Sequence, residues 1–356
     1  MAKAIHQIVA GYANGDGVSN EARIIRDLFR SWGFASEIYS ETRQILSELQ
    51  HEARDASQLR ADLGPDDHVM LHFSIGTELN LLFRDLPCKK ILRYHNITPS
   101  AFFKAFNPDV ASQLDRGREQ LDLLAGCADL NLAVSGYNAR ELEDAGYTDV
   151  KVFPLILDLD RIQAKPSRKV LVEMDDAKAK VLFVGRMAPN KRIEDLLHAF
   201  YYFQKFVHPE SRLVHVGSWA GMEMYYAMME AQKKELQLED AGFYGAVPEA
   251  DLSAYYQAAD VFLCMSEHEG FCIPLLEAMV AGIPVLAFDS SAVAETMDGS
   301  GIVFTEKHFD EIAEMLGRLV NDAPFRRSVI EGQFARVERY RMRDFAAELH
   351  AMIDPV

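Results

Sequence analysis

Short apolar runs recur along this chain of 356 residues, and longer amphipathic or charged stretches separate them. Residues 68–74 and 181–185 are two such runs, and each is followed by a loop and then by a stretch with helical periodicity. This alternation is typical of parallel strands, because each parallel strand is reached by a crossover connection that is usually helical. The predicted fold class is therefore α/β, with doubly wound parallel sheets covered by helices.

Two domains are predicted, because the rhythm of apolar runs lapses once. Residues 156–178 carry charges and a proline, and the runs resume at 181. We place one Rossmann-like domain at 1–160 and another at 161–335, and expect them to face a cleft. A C-terminal helix is expected at 336–356, and the pattern leaves open whether it packs back on the first domain.

Composition and charge exclude several classes of protein. Acidic residues outnumber basic ones by 54 to 37, whereas a non-specific nucleic-acid binder needs the opposite balance. No apolar stretch approaches the roughly 20 residues of a membrane span, and the N-terminus lacks the apolar run of a signal peptide. The 4 cysteines have no C-x-x-C spacing, so reduced thiols are expected. We predict a cytoplasmic protein whose membrane contact is at most peripheral, at the inner face.

Residues 260–288 form the most informative segment, with the pattern strand, acidic glycine loop, short helix, strand. Pro274 stands where the helix is expected to begin, and Gly282 where it ends. Glu269 in the loop and Glu277 in the helix offer acceptor oxygens suited to sugar hydroxyls, although both could be solvated acids at a helix end. Backbone amides at the helix start predict an anion site. These amides belong to Gly270, Phe271, Cys272 and Ile273.

A second pattern follows the strand predicted at 181–185. Arg186 and Lys191 lie in the loop between that strand and the next helix. A forked guanidinium and a flexible ammonium at the carboxyl end of a strand suit a diphosphate. Ordinary surface basic residues are the alternative, but these two occur in an acidic half of the chain.

Three features of the first domain are further candidates. Gly15 and Gly17 lie in a loop that matches the dinucleotide fingerprint except for its third glycine, so a nicotinamide cofactor is a distant alternative. His95 ends a predicted strand, a position that suits a functional histidine as well as a structural one. An acceptor-side loop is expected to carry His72, Ser74, Gly76 and Thr77. The sequence has no Walker loop, no H-E-x-x-H pattern and no Cys/His metal spacing, so no metal or cofactor is expected.

Together these motifs resemble those of retaining GT-B glycosyltransferases of the large family-four type, the glycosyl transferases group 1. The resemblance rests on Gly185-Arg186 with Lys191, Ser266-x-x-Glu269-Gly270-Phe271-x-x-Pro274-Leu275-x-Glu277-Ala278, Ala258-Ala259-Asp260-Val261-Phe262, Gly282-Ile283-Pro284-Val285 and Pro154-x-x-x-Asp158. It is specific over 181–304 and looser across the first domain. Two positions depart from the family pattern, since Leu155-Ile156 replaces an Asn-Gly pair and Cys272 replaces a small glycine.

The resemblance implies a GT-B fold and a role for each motif. The domain at 161–335 would bind the sugar-nucleotide donor, and the domain at 1–160 would lie on the acceptor side. Arg186 and Lys191 would neutralise the departing diphosphate, and Glu269 would bind hydroxyls of the transferred sugar.

The remaining motif residues would complete the donor site. Glu277 would bind the ribose, and the amides of Gly270 to Ile273 would assist at the phosphates. The Gly15–Gly17 loop would close the cleft from the other side. His95 would lie near the transferred sugar and belongs with Glu269, Arg186 and Lys191 among the predicted catalytic residues.

The implied activity is transfer of a hexose from a nucleoside diphosphate sugar to a saccharide or lipid-linked acceptor, with retention of anomeric configuration. The resemblance favours GDP-mannose and the biosynthesis of a polysaccharide. A GT-B-like sugar-nucleotide epimerase and a non-catalytic sugar-nucleotide-binding protein are the alternatives. Front-face attack and double displacement both remain open.

Overall fold

The computed structural model describes residues 3–354, and the chain divides into two compact units. The first unit runs to Ala101, resumes over Asp109–Leu157 and takes in the segment that starts at Asp344. The second unit comprises Phe102–Pro108 and Asp158–Arg343. Each unit is built on one parallel sheet covered by helices, which confirms the predicted α/β class.

The first unit contains a 7-stranded parallel sheet. Its strands are β1 (Ile5–Val9), β2 (Ile38–Ser40), β3 (Ala53–Asp55), β4 (His68–Phe73), β5 (Lys89–Tyr94), β6 (Leu130–Ala133) and β7 (Val150–Val152). They lie in the order β3-β2-β1-β4-β5-β6-β7. Because helices cover both faces, β1 and β4 are buried along their whole length, and this accounts for their mostly apolar sequences. The short edge strand β3 was not predicted.

The helices of the first unit return the chain between parallel strands. They are α1 (Gly17–Ser31), α2 (Leu59–Asp62), α3 (Glu78–Arg84), α4 (Pro108–Leu124) and α5 (Gly136–Asp144). The carboxylate of Asp16 caps α1 by accepting a hydrogen bond from the Ser19 amide at 2.8 Å. Ile25 and Phe29 of α1 are fully buried in the core, against Ile5 of β1 and its neighbours.

The second unit contains a 6-stranded parallel sheet. Its strands are β8 (Ala179–Val184), β9 (Ser211–Val216), β10 (Ala241–Phe243), β11 (Val261–Cys264), β12 (Val285–Phe288) and β13 (Ile302–Phe304). They lie in the order β10-β9-β8-β11-β12-β13. The helices are α6 (Arg168–Met174), α7 (Ile193–Tyr202), α8 (Glu223–Glu235), α9 (Glu249–Ala258), α10 (Ile273–Val280), α11 (Val293–Met297), α12 (Phe309–Asn321) and α13 (Ala323–Arg341). Among the helices of residues 3–354, none combines the length and apolar character that crossing a membrane requires.

The single C-terminal helix predicted from residue 336 is wrong. Residues 336–341 are the end of α13, and a separate helix, α14 (Phe345–Ile353), follows. The break occurs because the Asp344 side chain accepts a hydrogen bond from the Ala347 amide at 2.9 Å and caps a new helix. The core of the first unit includes two α14 residues, Leu349 and Ile353. The helix α14 therefore packs on the first unit, a point that the sequence pattern left open.

Residues 102–108 lie inside the predicted 1–160 domain but belong to the second unit. The Asn107 side-chain amide donates a hydrogen bond to the Gly221 carbonyl at 2.7 Å. The Phe106 ring packs edge-on against Tyr225, with ring centroids 5.1 Å apart. These contacts are made between residues more than a hundred positions apart in sequence, so the local pattern did not reveal them.

Candidate active site

The loops after β8 and β11 lie where the strand order of the second sheet reverses. β8 has β9 on one side and β11 on the other, and ligands of open α/β sheets bind outside the carboxyl ends of strands at such a point. Gly217, directly after β9, packs closely here, since a Cβ on it would lie 1.8 Å from the Gly185 carbonyl oxygen. Arg186 and Lys191 follow β8, and Glu269 follows β11, as the sequence predicts.

Lys191 and Glu269 form an ion pair between these two loops. Nζ of Lys191 lies 2.6 Å from Oε1 of Glu269, and the two side chains are only 19% and 8% exposed. Burial is the largest single influence on the pKa of Lys191 and lowers it, but the Glu269 carboxylate and other neighbouring groups together raise that pKa above its usual value. The pair therefore holds a fixed cation beside a carboxylate at the carboxyl edge of the sheet.

Further hydrogen bonds lock the two loops together. The Asn190 side chain donates to the His268 carbonyl at 3.0 Å, and the Glu267 amide donates to the Asn190 carbonyl at 2.9 Å. The Glu269 amide donates to the Ser291 hydroxyl at 2.7 Å. Lys191 and Glu269 are thus placed before any ligand arrives, which is the condition for electrostatic stabilisation without reorganisation.

Glu277 is buried in α10, and both of its carboxylate oxygens have a donor. Arg161 bonds to Oε1, and the Tyr256 hydroxyl donates to Oε2 at 2.8 Å. Burial, reinforced by Glu277, raises the pKa of Tyr256 well above its usual value, so the phenol stays protonated and donates. Sequence reasoning missed Arg161 and Tyr256, because neither lies in the motif that contains Glu277.

The helix start after Glu269 has an unusual backbone. Cys272 has a φ of +67°, in the left-handed region that favours glycine, and it immediately precedes α10. The helix begins at Ile273, so Pro274 occupies its second position. The prediction that Pro274 is the first helical residue is therefore wrong by one position. The Phe271 carbonyl accepts a hydrogen bond from the Thr296 hydroxyl. The anion site predicted at these amides stays a prediction.

Arg186 differs from Lys191 in its surroundings. It is exposed, and its guanidinium donates a hydrogen bond to the Ala220 carbonyl at 2.8 Å, in the loop after β9. Lys191, by contrast, is held by Glu269 in the loop after β11. The two cations predicted to act together follow the same strand, but their hydrogen-bond partners lie in different loops.

The first unit holds the other predicted site residues. Gly15 has a φ of +72°, and it lies in the loop after β1, which neighbours β4 where the strand order reverses. Gly17 is the first residue of α1. His95 follows β5, and the next residue, Asn96, has a φ of +93°. A positive φ is strained for a residue with a Cβ such as Asn96, and such conformations cluster at functional sites.

His95 belongs to a buried chain of polar side chains. Its Nε2 lies 2.9 Å from Nδ1 of His72, and Nε2 of His72 lies 2.8 Å from Oε1 of Gln7. His72 lies within β4 and is 1% exposed, so the expected placement of His72 in a loop is wrong. Gln7 lies in the middle of β1 and was not predicted.

A buried ion pair lies beside this chain. Arg93 and Glu21 are each fully buried, with 2.7 Å between Nη2 and Oε1. Arg93 also donates to the Phe153 and Pro154 carbonyls, and the Ile156 amide donates to Glu21 at 3.0 Å. The arginine inside the apolar β5 sequence was the available signal, because an arginine is almost never fully buried unless it is paired.

Two clusters in the described part of the chain bring potential metal ligands within 4.8 Å of one another. One comprises Glu21, His72 and His95, and the other comprises Cys264, Glu269 and Cys272. In each cluster the glutamate already binds a cationic side chain, Arg93 in the first and Lys191 in the second. These fixed cations repel a divalent ion.

The predicted site residues thus fall into two groups. The second unit holds Arg186, Lys191, Glu269, Gly270, Phe271, Cys272, Ile273 and Glu277, and the first unit holds Gly15, Gly17 and His95. In the second unit, only Lys191 and Glu269 of this set are joined by a side-chain hydrogen bond within residues 3–354.

Comparison with known proteins finds a matching family model and several relatives. Residues 167–335 match the family model described as "Glycosyl transferases group 1". O-antigen chain mannosyltransferase B of Escherichia coli is 27% identical over 161 residues, which are 45% of this chain and 41% of that protein. A GDP-mannose-dependent alpha-mannosyltransferase of Mycolicibacterium smegmatis is 35% identical over 115 residues, 32% of this chain and 27% of that protein. The matches therefore span less than half of these relatives' length.

Solved structures show the same fold over nearly the whole chain. HepE from Anabaena, in a crystal structure with UDP and glucose, has a TM-score of 0.76 at 16% identity and covers 99% of this chain and 100% of its own. Sucrose-phosphate synthase from Thermosynechococcus elongatus has a TM-score of 0.75 at 16% identity, and the match covers 99% of this chain and 98% of that structure's chain. The chain therefore has the GT-B fold, and its residues 167–335 match the family model of the glycosyl transferases group 1.

Proposed function

We propose that this protein is a retaining glycosyltransferase that moves a hexose from a nucleoside diphosphate sugar to a hydroxyl of a saccharide or lipid-linked acceptor. The observation that carries the proposal is the Lys191–Glu269 pair, buried at the carboxyl edge of the second sheet and inside the segment that matches the family model. A diphosphate and a sugar are the two parts of such a donor. An ammonium suits the first, and a carboxylate acceptor suits the second.

The reaction breaks the bond between the anomeric carbon and the diphosphate oxygen, and it forms a bond from that carbon to the acceptor oxygen. In a front-face attack the acceptor's proton passes to the departing diphosphate. In a double displacement a carboxylate takes the sugar first and is then replaced by the acceptor. Negative charge develops on the diphosphate in both routes, so fixed cations at Lys191 and Arg186 stabilise the transition state.

The other motif residues complete the donor site in this proposal. Glu277 keeps lone pairs for ribose hydroxyls after Arg161 and Tyr256 have bonded to it, and these two donors fix its orientation. The amides from Gly270 to Ile273 face the phosphates at the start of α10, where the helix dipole favours an anion.

GDP-mannose is the proposed donor, and an oligosaccharide under construction is the proposed acceptor. The support comes from the names of relatives, which include an O-antigen chain mannosyltransferase and a GDP-mannose-dependent alpha-mannosyltransferase. UDP-glucose is the competing donor, since HepE is crystallised with it.

A donor panel tests the proposal. Thermal unfolding is measured with UDP, GDP, ADP and their sugars, and only the correct base should stabilise, by about 2.7 kcal/mol at 100 times its dissociation constant. Release of the nucleoside diphosphate is then followed with and without saccharide acceptors. Binding without turnover would indicate a non-catalytic binding protein, and an epimerised sugar nucleotide would indicate an epimerase.

Replacing Lys191 tests the site assignment. Lys191→Met should lower kcat/KM by about tenfold to thousandfold, because a cation that meets developing charge is lost. Lys205→Met, which changes an exposed lysine in the same unit, is the matched control and should have no effect. Equal rates for the two variants would contradict the assignment, and an inverted anomer in the product's NMR spectrum would contradict retention.

A further inference from the structure

Three side chains of the first unit form a hydrogen-bonded chain that ends at His95. They are Gln7 of β1, His72 of β4 and His95 after β5, and they join three neighbouring strands. Gln7 and His72 are 0% and 1% exposed, so water does not compete for these bonds. The direction of each bond can be derived by starting from Gln7.

The amide of Gln7 has only one orientation that satisfies its neighbours. Its Nε2 lies 3.0 Å from the carbonyl oxygen of Ala22, which can accept a hydrogen bond but cannot donate one. The nitrogen must therefore face Ala22. Consequently Oε1 faces His72 as a pure acceptor.

His72 must then donate from Nε2, because that nitrogen lies 2.8 Å from Oε1 of Gln7. Burial, with a further contribution from the Arg93 cation, lowers the pKa of His72 to about 3, so the ring is neutral at pH 7. A neutral imidazole carries one proton. Nδ1 of His72 is therefore an acceptor.

The position of the proton on His95 can be derived in the same way. Its Nε2 lies 2.9 Å from Nδ1 of His72, which accepts, whereas Oε2 of Glu21, at 3.6 Å, is beyond hydrogen-bond distance. The proton must be on Nε2. Burial, together with His72 and Arg93, lowers the pKa of His95 well below its usual value, so this ring is neutral too. Nδ1 therefore carries a lone pair.

We infer that Gln7 and His72 are positioning residues that hold His95 as the Nε2-protonated tautomer, so that Nδ1 of His95 accepts a hydrogen bond from a carbohydrate hydroxyl. The identity of this ligand group rests on the proposed function. Within residues 3–354, Nδ1 of His95 has no hydrogen-bond partner. Because the nitrogen can only accept, it selects a hydroxyl and repels a phosphate oxygen.

The neighbouring ion pair favours this arrangement over a metal site. Glu21, His72 and His95 have the ligand types for a divalent ion, but Arg93 occupies the same carboxylate at 2.7 Å. A metal would place its charge beside a fully buried guanidinium. A chain of neutral hydrogen bonds satisfies the same atoms without that repulsion.

The tautomer can be read directly by NMR on the ligand-free protein with ring-15N histidine. Long-range 15N–1H correlation separates protonated from unprotonated imidazole nitrogens, and His95→Gln identifies the signals of His95 among the 11 histidines. We expect His95 to show a protonated Nε2 and an unprotonated Nδ1 at neutral pH. A protonated Nδ1 would overturn the inference, and so would stoichiometric Zn²⁺ binding that shifts both ring nitrogens.

Variants at His72 test the positioning role. His72→Leu removes the acceptor and should convert His95 to a mixture of tautomers, whereas His72→Asn keeps an oxygen near the position of Nδ1 and should preserve the tautomer. Gln7→Met should also produce a mixture, which gives a second route if His72→Leu fails to fold. The matched control is His6→Asn. It replaces a different buried histidine, which lies in β1, and keeps an acceptor for the Glu37 amide. It should leave His95 unchanged.

Kinetics connect the tautomer to function. His72→Leu should lower kcat by about tenfold, the value of one neutral hydrogen bond, with unchanged affinity for the bare nucleoside diphosphate. His72→Asn should recover most of this loss. An unchanged His95 tautomer in both His72→Leu and Gln7→Met would overturn the inference. If the spectra behave as expected but no donor is turned over, the proposed function fails and the positioning of His95 stands.

Discussion

At the scale of single residues, the charge on Lys191 depends on Glu269. Burial lowers the pKa of the ammonium, the carboxylate raises it, and the net shift with the other neighbouring groups is upward. A substitution at Glu269 therefore changes two things, the acceptor for the sugar and the protonation of the lysine. Although the two residues are far apart in sequence, a variant of Glu269 therefore cannot test sugar binding without also affecting the charge on Lys191.

Glu269→Gln should make nucleotide binding sensitive to pH. Without the carboxylate, burial lowers the pKa of Lys191, so the ammonium is lost as pH rises. Affinity for the bare nucleoside diphosphate should fall by up to about tenfold per pH unit above that pKa, whereas the original protein should show little change. Calorimetry between about pH 6 and pH 9 measures this.

The control for that experiment is Glu267→Gln in the same loop. The carboxylate of Glu267 pairs with Lys307 at 2.9 Å and with Arg192 at 3.3 Å rather than with Lys191. Its removal should not introduce a pH dependence. A flat profile for Glu269→Gln would show that Lys191 keeps its proton without its partner.

At the scale of elements, the start of α10 is held in a conformation that a side chain resists. Cys272→Gly should be more stable than Cys272→Ala by about 1 kcal/mol, since both remove the thiol and only alanine keeps a Cβ at a φ of +67°. Urea unfolding of the two variants gives the difference. Cys88 has no positive φ, so the same pair of substitutions there should show the opposite order.

The helix α14 completes the core of the first unit. Leu349→Ala should destabilise that unit by about 2 to 5 kcal/mol, because a fully buried side chain leaves a cavity. Met342→Ala, at an 81% exposed position before the helix, should change stability by less than about 0.5 kcal/mol.

A tryptophan in each unit makes that measurement specific. Trp32 packs on His350 of α14, with ring centroids 4.8 Å apart, whereas Trp219 stacks on Tyr226 in the second unit. In a Trp219→Phe background, fluorescence during urea unfolding reports on the first unit. An equal midpoint for Leu349→Ala and Met342→Ala would show that α14 contributes nothing to the core.

At the scale of the whole molecule, we expect catalysis without a divalent metal. The cations proposed for the diphosphate are Lys191 and Arg186, and they do not depend on an added ion. Transfer should therefore continue in excess EDTA. Complete loss of activity that magnesium or manganese restores would show that the phosphate site has been assigned to the wrong groups.

The fold was predictable from sequence because parallel strands buried on both faces have mostly apolar sequences. The loops after β8 and β11 were predictable because their polar residues come directly after such strands. Ion pairs between distant residues were not predictable. Lys191 and Glu269 are 78 positions apart in sequence, and Arg93 and Glu21 are 72 positions apart. Such contacts depend on strand order, which local periodicity does not contain.

The order of the chain through the two units has a consequence for biosynthesis. The hydrophobic core around Phe153 is incomplete until residues 345–353 have been translated, because Leu349 and Ile353 belong to it. All strands of the second sheet lie between residues 179 and 304, so this sheet can assemble earlier. During synthesis on the ribosome, the unit whose strands emerge first should therefore complete its core only after every strand of the second sheet has been translated.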